Sequence, residues 1–124
     1  MSNTERRRPM FLTLHPDSPE PLFEQLHGGI VKLIATGELR DGDRLDSVRS
    51  VAADFGINPA TVKKAYDQLV ADGLVETAGR SGSIVRTGAR TQAQEAQLRT
   101  DLQKLAYRAT AQGFSLTEFI KDLP

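Results

Sequence analysis

Apolar residues along the chain keep to two rhythms, one of three to four residues and one of two. Leu22, Phe23, Leu26, Ile30, Leu33 and Ile34 recur at the helical period and predict an amphipathic first helix, opening near Pro21 and ending at Gly37. Proline suits the first turn, where the amide it lacks would have no partner anyway. Gly28 and Gly29 sit inside this helix, where each costs about 1 kcal/mol relative to alanine; close packing against a neighbouring helix is the expected reason for them. Val48, Val51, Ala52 and Phe55 predict a short second helix, capped by Asp46 or Ser47 and stopped by Gly56. Val62, Ala65, Tyr66, Leu69 and Val70 predict a third, capped by Asn58, with Pro59 in its first turn and Asp72-Gly73 closing it. Residues 74–77 and 83–87 then read as two short strands around a glycine-containing tip at 78–82. Earlier, residues 10–14 suit a strand or extended segment, and 38–45 a turn-rich connection bent at Asp41-Gly42-Asp43. Past Gly88 a long helix is expected from about 91 to 112, with Leu98, Leu102, Leu105 and Ala109 on one stripe. Gly113 breaks it, and Ser115 with Glu118 has the pattern of a capping box for a last short helix carrying Leu116, Phe119, Ile120 and Leu123.

The stretch from Val51 to Ala65 meets the demands of a helix-turn-helix. Two helices joined by a tight turn approach closely, so a small residue is wanted at the crossing, and Ala52 supplies it. The turn needs a residue that tolerates positive φ, which is Gly56, while Ile57, Val62 and Ala65 seat the second helix on the first. With Val62, Tyr66 and Leu69 turned inward, the outward face at the start of the third helix shows Asn58, Ala60, Thr61, Lys63 and Lys64, then Gln68, with no acid before Asp67. A recognition helix brings its N-terminal residues to base edges in the major groove and wants small, polar and basic side chains there. A merely solvated face usually mixes both signs of charge. The hairpin adds Arg80, flanked by Ser81 and Ser83, at a tip suited to phosphates or the minor groove. The fold class these elements predict is mostly α with a small β-hairpin wing: a winged helix-turn-helix at 20–88, between a flexible arm at 1–19 and a helical tail at 89–124.

Composition changes this picture little. A chain of 124 residues with 39% hydrophobic and 26% charged residues supports one small domain and an appendage. Lys+Arg and Asp+Glu both number 16, so the sum gives no basic footprint, but Arg6, Arg7 and Arg8 are adjacent and Lys63, Lys64, Arg80, Arg86 and Arg90 cluster in the middle third. The arginine triplet suits either a solubilising tail or a phosphate contact. No apolar run approaches the roughly 20 residues of a spanning helix, and no apolar stretch follows the basic start, so a cytoplasmic location is expected. Without cysteine there is no disulfide or thiolate chemistry, and His15 and His27 have no partners at metal-ligand spacing. Neither a catalytic centre, a metal nor a cofactor is expected.

The sequence resembles the GntR-type winged-helix regulators, and among them the short YtrA-like branch. The resemblance rests on Pro21-Leu22-Phe23-Glu24-Gln25-Leu26, Gly37-Glu38-Leu39, Gly42-Asp43-Arg44-Leu45, Ser47-Val48-Arg49, Phe55-Gly56-Ile57-Asn58-Pro59, Thr61-Val62, Ala65-Tyr66, Leu69 and Gly73-Leu74-Val75, and covers about residues 20–86. It implies DNA contacts by Arg49 of the Ser-x-Arg motif, by Asn58, Ala60, Thr61 and Lys63, and at the wing tip by Arg80. Two departures stand out. Asp46 replaces the usual proline, and the wing reads Arg80-Ser81-Gly82-Ser83-Ile84-Val85 where the family commonly has Gly-x-Gly-Thr-Phe-Val.

In the YtrA-like branch the short tail is associated with dimerisation, which falls here on Leu98, Leu102, Leu105, Ala109, Phe119 and Ile120. An independent argument agrees: a long helix and a short partner need more apolar cover than the winged domain can spare, and a two-fold dimer matches a palindromic site. The expected protein is a dimeric sequence-specific regulator of transcription, a repressor in the main reading, that binds double-stranded operator DNA with Thr61 and Lys63 reading bases and Arg49, Lys64 and Arg80 gripping phosphates. The alternative is a winged-helix module for protein–protein contact. A small-molecule effector between the tail helices is compatible with either, although no residue in the sequence specifies one.

Overall fold

Residues 12–124 are described by a computed structural model, and the chain divides at residue 89 into two units. The first holds three helices and a hairpin: α1 (Leu22–Ala35), α2 (Val48–Phe55), α3 (Pro59–Ala71), β1 (Val75–Thr77) and β2 (Ser83–Val85). The second holds α4 (Gln92–Ala111) and α5 (Leu116–Ile120). The mostly helical winged fold expected from the sequence is thus the one observed.

The core of the first unit is where the helical stripes meet. Leu26 and Ile30 of α1, Val51 and Ala52 of α2, Val62, Ala65, Tyr66 and Leu69 of α3, and Val75 and Val85 of the hairpin form one buried cluster, closed by Leu45. Val70, expected on the inner face of α3, is 42% exposed. It lies one residue beyond Leu69, outside the stripe that faces α1 and α2.

Helix packing accounts for neither Gly28 nor Gly29 among the described residues. A Cβ on Gly29 would come within 2.6 Å of Leu12 Cδ2, so the glycine leaves room for the segment that precedes the helix. A Cβ on Gly28 would meet nothing. Residues 12–14 pair with no strand, but Leu12 and Leu14 pack half-buried on the core. Gln25 fastens the following loop: its side chain accepts from the His15 amide at 2.7 Å and donates to the carbonyls of His15 at 3.0 Å and Glu20 at 2.8 Å. These contacts tie residues 12–20 to α1 and the core; the arginine triplet lies outside the described residues.

The connection expected to be turn-rich does more than turn. The Asp43 amide closes a turn on the Arg40 carbonyl, and the chain then runs along the free edge of β2. Gly42 donates to Val85, Val85 to Asp43 and Leu45 to Ser83, at 2.7, 2.8 and 2.9 Å, around an antiparallel bridge between Arg44 and Ile84. β2 therefore sits between β1, which it meets in the register Val75↔Val85, Glu76↔Ile84 and Thr77↔Ser83, and residues 42–45. Alternation puts Val75, Val85 and Leu45 toward the core and Glu76, Ile84 and Arg44 on the outer face.

In the second unit Thr91 and Gln94 make the capping box that opens α4, each side chain accepting from the other's amide. The box expected at Ser115 and Glu118 does not form. Glu118 turns instead to Lys121 at 3.4 Å, and α5 is a single turn and a half. Ala109 is buried within this unit, while Phe114 stacks obliquely on Phe119 with ring centroids 5.6 Å apart.

Candidate nucleic-acid interface

The turn between α2 and α3 is fixed by Gly56, whose φ of 66° and ψ of 37° are left-handed and open to glycine without strain. Its amide and that of Ile57 both donate to the Ala52 carbonyl, which finishes α2 and drops Ile57 onto the core. Ile57 leads directly to Asn58, whose Oδ1 accepts from the Ala60 amide at 2.8 Å and caps α3.

The exposed opening of α3 carries Ala60, Lys63 and Lys64, with Thr61 half-buried beside Val62. Both lysines have partners that the sequence does not reveal as such. Lys63 Nζ lies 2.9 Å from Asp67 Oδ2, one helical turn on, with both side chains mostly exposed. A surface pair of this kind is worth about 0.3–0.5 kcal/mol, so it restrains Lys63 only weakly. Lys64 Nζ lies 3.9 Å from the centre of the Phe23 ring on α1, a cation–π contact across the two helices.

Arg49 follows the Ser47 cap, which accepts from the Ser50 amide at 3.0 Å. Of the two caps expected, the structure thus selects Ser47. The backbone just before it is held from α3: Tyr66 Oη donates to the Asp46 carbonyl at 2.6 Å. Burial, and secondarily the Asp46 carboxylate, push the Tyr66 phenol well above its usual 10. The protonated hydroxyl thus straps the chain just before α2 to α3. At the other end of α3, His27 Nε2 of α1 meets Asp72 Oδ2 at 2.6 Å, which fixes the exit toward the hairpin.

The wing tip is a single 3-10 turn, Gly79–Ser81, that carries Arg80. Gly82 closes it at φ 80° and ψ −147°, a region open essentially to glycine. Its amide donates to Gly79 and its carbonyl accepts from Ala78. The tip is thus narrow and exposed, with Arg80 at its end. Arg86 is tied to Glu76 at 3.4 Å on the wing's outer face.

The sites expected on α2, α3 and the wing all lie on the first unit. The tail residues lie on the second, where Leu98, Leu102, Leu105, Phe119 and Ile120 are exposed and Ala109 is not. Tyr107, Phe114 and Leu123 are exposed there too. Tyr107 and Phe114 fall outside the Leu98–Leu102–Leu105 stripe, so the helical period does not select them. Among the described residues, no three or more His, Asp or Glu side chains converge as a metal site would require, and no helix is long and apolar enough to cross a membrane.

Comparison with known proteins agrees with this geometry. The model of bacterial regulatory proteins, gntR family, matches residues 22–85. The transcriptional repressor YtrA of Bacillus subtilis is 31% identical over 118 residues, covering 90% of this chain and 91% of that protein. YtrA from Sulfolobus acidocaldarius, a GntR-family transcription factor, superimposes with a TM-score of 0.69 at 33% identity, over 81% of this chain and 97% of its own. A structure described as a transcriptional antiterminator from Listeria monocytogenes EGD-e gives a TM-score of 0.76 at 26% identity, over 90% of this chain and 85% of its own. With the family model laid over its winged domain and a near full-length relative above 30% identity, the chain belongs to the gntR family and is a DNA-binding, winged helix-turn-helix regulator of transcription.

Proposed function

We propose that the chain acts as a homodimeric repressor on a pseudo-palindromic operator, its half-sites about one helical turn apart. The observation that carries this reading is the opening of α3: an acid-free first turn with an asparagine cap and a half-buried threonine, followed in the second turn by two exposed lysines. Thr61 and Lys63 are the base readers, with Asn58 beside them and Ala60 leaving room for close approach. Arg49, Lys64 and Arg80 hold phosphates. Lys63 exchanges Asp67 for DNA at little expense, because the pair it leaves is solvent-exposed. The likeness to the Bacillus subtilis transcriptional repressor YtrA supports repression as the mode of action. A cytoplasmic place of action follows from a chromosomal target.

Dimerisation is assigned to the tail. Leu102, Leu105, Phe114, Phe119, Ile120 and Leu123 line an open apolar groove of about 390 Å³ on the second unit, with Arg108 and Gln112 among its few polar neighbours. Leu98 and Tyr107 extend the exposed apolar surface of α4. An exposed patch of this kind is best covered by a second copy of itself, which also supplies the symmetry that a palindrome requires.

The test is Lys63→Ala measured on an operator selected from genomic fragments and on random duplex DNA. Loss of a base contact weakens the operator by about 1–3 kcal/mol and relaxes sequence preference at one position per half-site. An equal loss on both DNAs would remove Lys63 from base readout.

A further inference from the structure

The wing's outer face contains an arginine that neither the hairpin pattern nor the helix-turn-helix spacing singles out. Arg44 stands opposite Ile84 in a bridge whose flanking bonds run from Leu45 to Ser83 and from Val85 to Asp43. That pattern makes Arg44 and Ile84 a non-hydrogen-bonded antiparallel pair, the closer of the two kinds, with both side chains on the same face. Its diagonal neighbour is Gly82. The Cγ and Cδ of Arg44 lie 3.9 and 3.7 Å from the place a Gly82 Cβ would occupy, so the stem runs over the glycine that closes the tip. One residue of that tip turn is Arg80.

The neighbouring acids are engaged elsewhere. Asp43 Oδ2 accepts from the Arg40 amide at 2.8 Å, Asp41 Oδ1 from the Thr87 amide at 2.8 Å, and Glu76 holds Arg86. Arg44 itself is exposed. An exposed arginine whose stem runs over the tip glycine, beside an arginine-bearing turn and with Asp41, Asp43 and Glu76 engaged by backbone amides or by Arg86, is suited to an anionic partner from outside.

We propose that Arg44 is a second phosphate contact of the wing, which grips the duplex backbone together with Arg80. The proposal rests on the DNA-binding reading above and extends it from the hairpin to the edge segment that the hairpin recruits. Phosphate contacts carry no sequence information but release counterions, so the signature is in salt dependence.

The experiment uses the full chain and a random-sequence duplex, with affinity measured by fluorescence anisotropy across a salt series. Arg44→Met keeps the stem over Gly82 and removes the charge; Arg44→Gln removes both charge and length; Arg44→Lys restores a cation. Arg44 occurs twice in the dimer, so its replacement removes two contacts and lowers the slope of log K against log salt by about 1.8; the wild-type advantage then shrinks about twelvefold between 50 and 200 mM salt. The expected result is this reduction in the Met and Gln variants, recovery in the Lys variant, and the same loss on a selected operator. An unchanged slope in the Met and Gln variants, while Arg49→Gln lowers it, would overturn the proposal and leave DNA binding intact, with Arg44 only packing on Gly82. Absence of salt-dependent binding by the wild-type chain would overturn both.

Discussion

Replacing Tyr66 with phenylalanine removes one oxygen and tests how the recognition unit is held together. The hydroxyl donates to the Asp46 carbonyl at 2.6 Å, from a side chain only 5% exposed. A neutral hydrogen bond of this kind contributes a net 1 kcal/mol or so, and because Asp46 is half-buried, water reaches the vacated carbonyl in part. The expected loss near pH 8 is about 1 kcal/mol, or about 4–8 °C in melting temperature for a domain of 60–100 residues. Protomer concentration must be fixed, because oligomerisation shifts the midpoint. The pH dependence makes the test sharper. Burial and the Asp46 carboxylate raise the folded-state pKa of Tyr66 above its ordinary 10, so the folded chain keeps a proton that the unfolded chain gives up. That contribution is fully present below pH 10 and declines above it, at about 1.4 kcal/mol per pH unit, until the folded phenol itself ionises. The wild-type advantage of about 1 kcal/mol is therefore used up near pH 11, where the wild-type and Tyr66→Phe stability curves cross. Urea titrations of both proteins from pH 8 to 11.5 measure this directly. A constant gap over the whole range would refute the buried-phenol strap.

The two adjacent glycines of α1 should respond unequally. Gly28→Ala meets open space and gains about 1 kcal/mol of helix propensity, whereas Gly29→Ala pushes Leu12 from its seat and gives back that gain, so urea midpoints that rise equally would contradict the packing assigned to Leu12. Asp67→Asn releases Lys63 from its exposed partner and removes a negative charge near DNA, so operator affinity should rise in an equilibrium binding assay; a fall would mean that Asp67 positions Lys63. Glutamate at both Leu105 and Phe119 places charge in the tail's apolar groove and should convert a dimer to monomer in sedimentation equilibrium; a wild type that sediments as a monomer would remove the tail from dimerisation.

The helices and the tight turn were legible in the sequence because their causes are local. Asn58-Pro59 writes the start of α3, and Gly56 writes the turn before it. What stayed hidden depends on residues far apart along the chain. Residues 42–45 are short, polar at Asp43 and Arg44, and follow two turn formers, so nothing local announces that they pair with β2. The role of Gly29 requires knowing where Leu12 lies, and the partner of Lys64 is a phenylalanine on another helix. Local pattern also misled once. Thr91 with Gln94 and Ser115 with Glu118 have the same capping spacing, but only the first opens a long helix and forms the box. In the second, Lys121 takes the glutamate. The candidate contacts on α2 and α3 were legible as types and positions. The strap from Tyr66 to Asp46, which ties the chain before α2 to α3, was not, because a tyrosine on an apolar stripe reads as core and gives no sign of where its hydroxyl goes.

The central claim is that the α3 face and the wing, presented twice by a dimer, read a specific duplex. Selection of bound fragments from a random duplex pool by the wild-type chain, followed by sequencing, tests it most directly. The account predicts an inverted repeat whose half-sites are centred about 10 base pairs apart, or a multiple of that spacing, with preference relaxed at one position per half-site when Lys63 is replaced by alanine. Enrichment of no sequence at low salt, or of a site without two-fold symmetry, would contradict it.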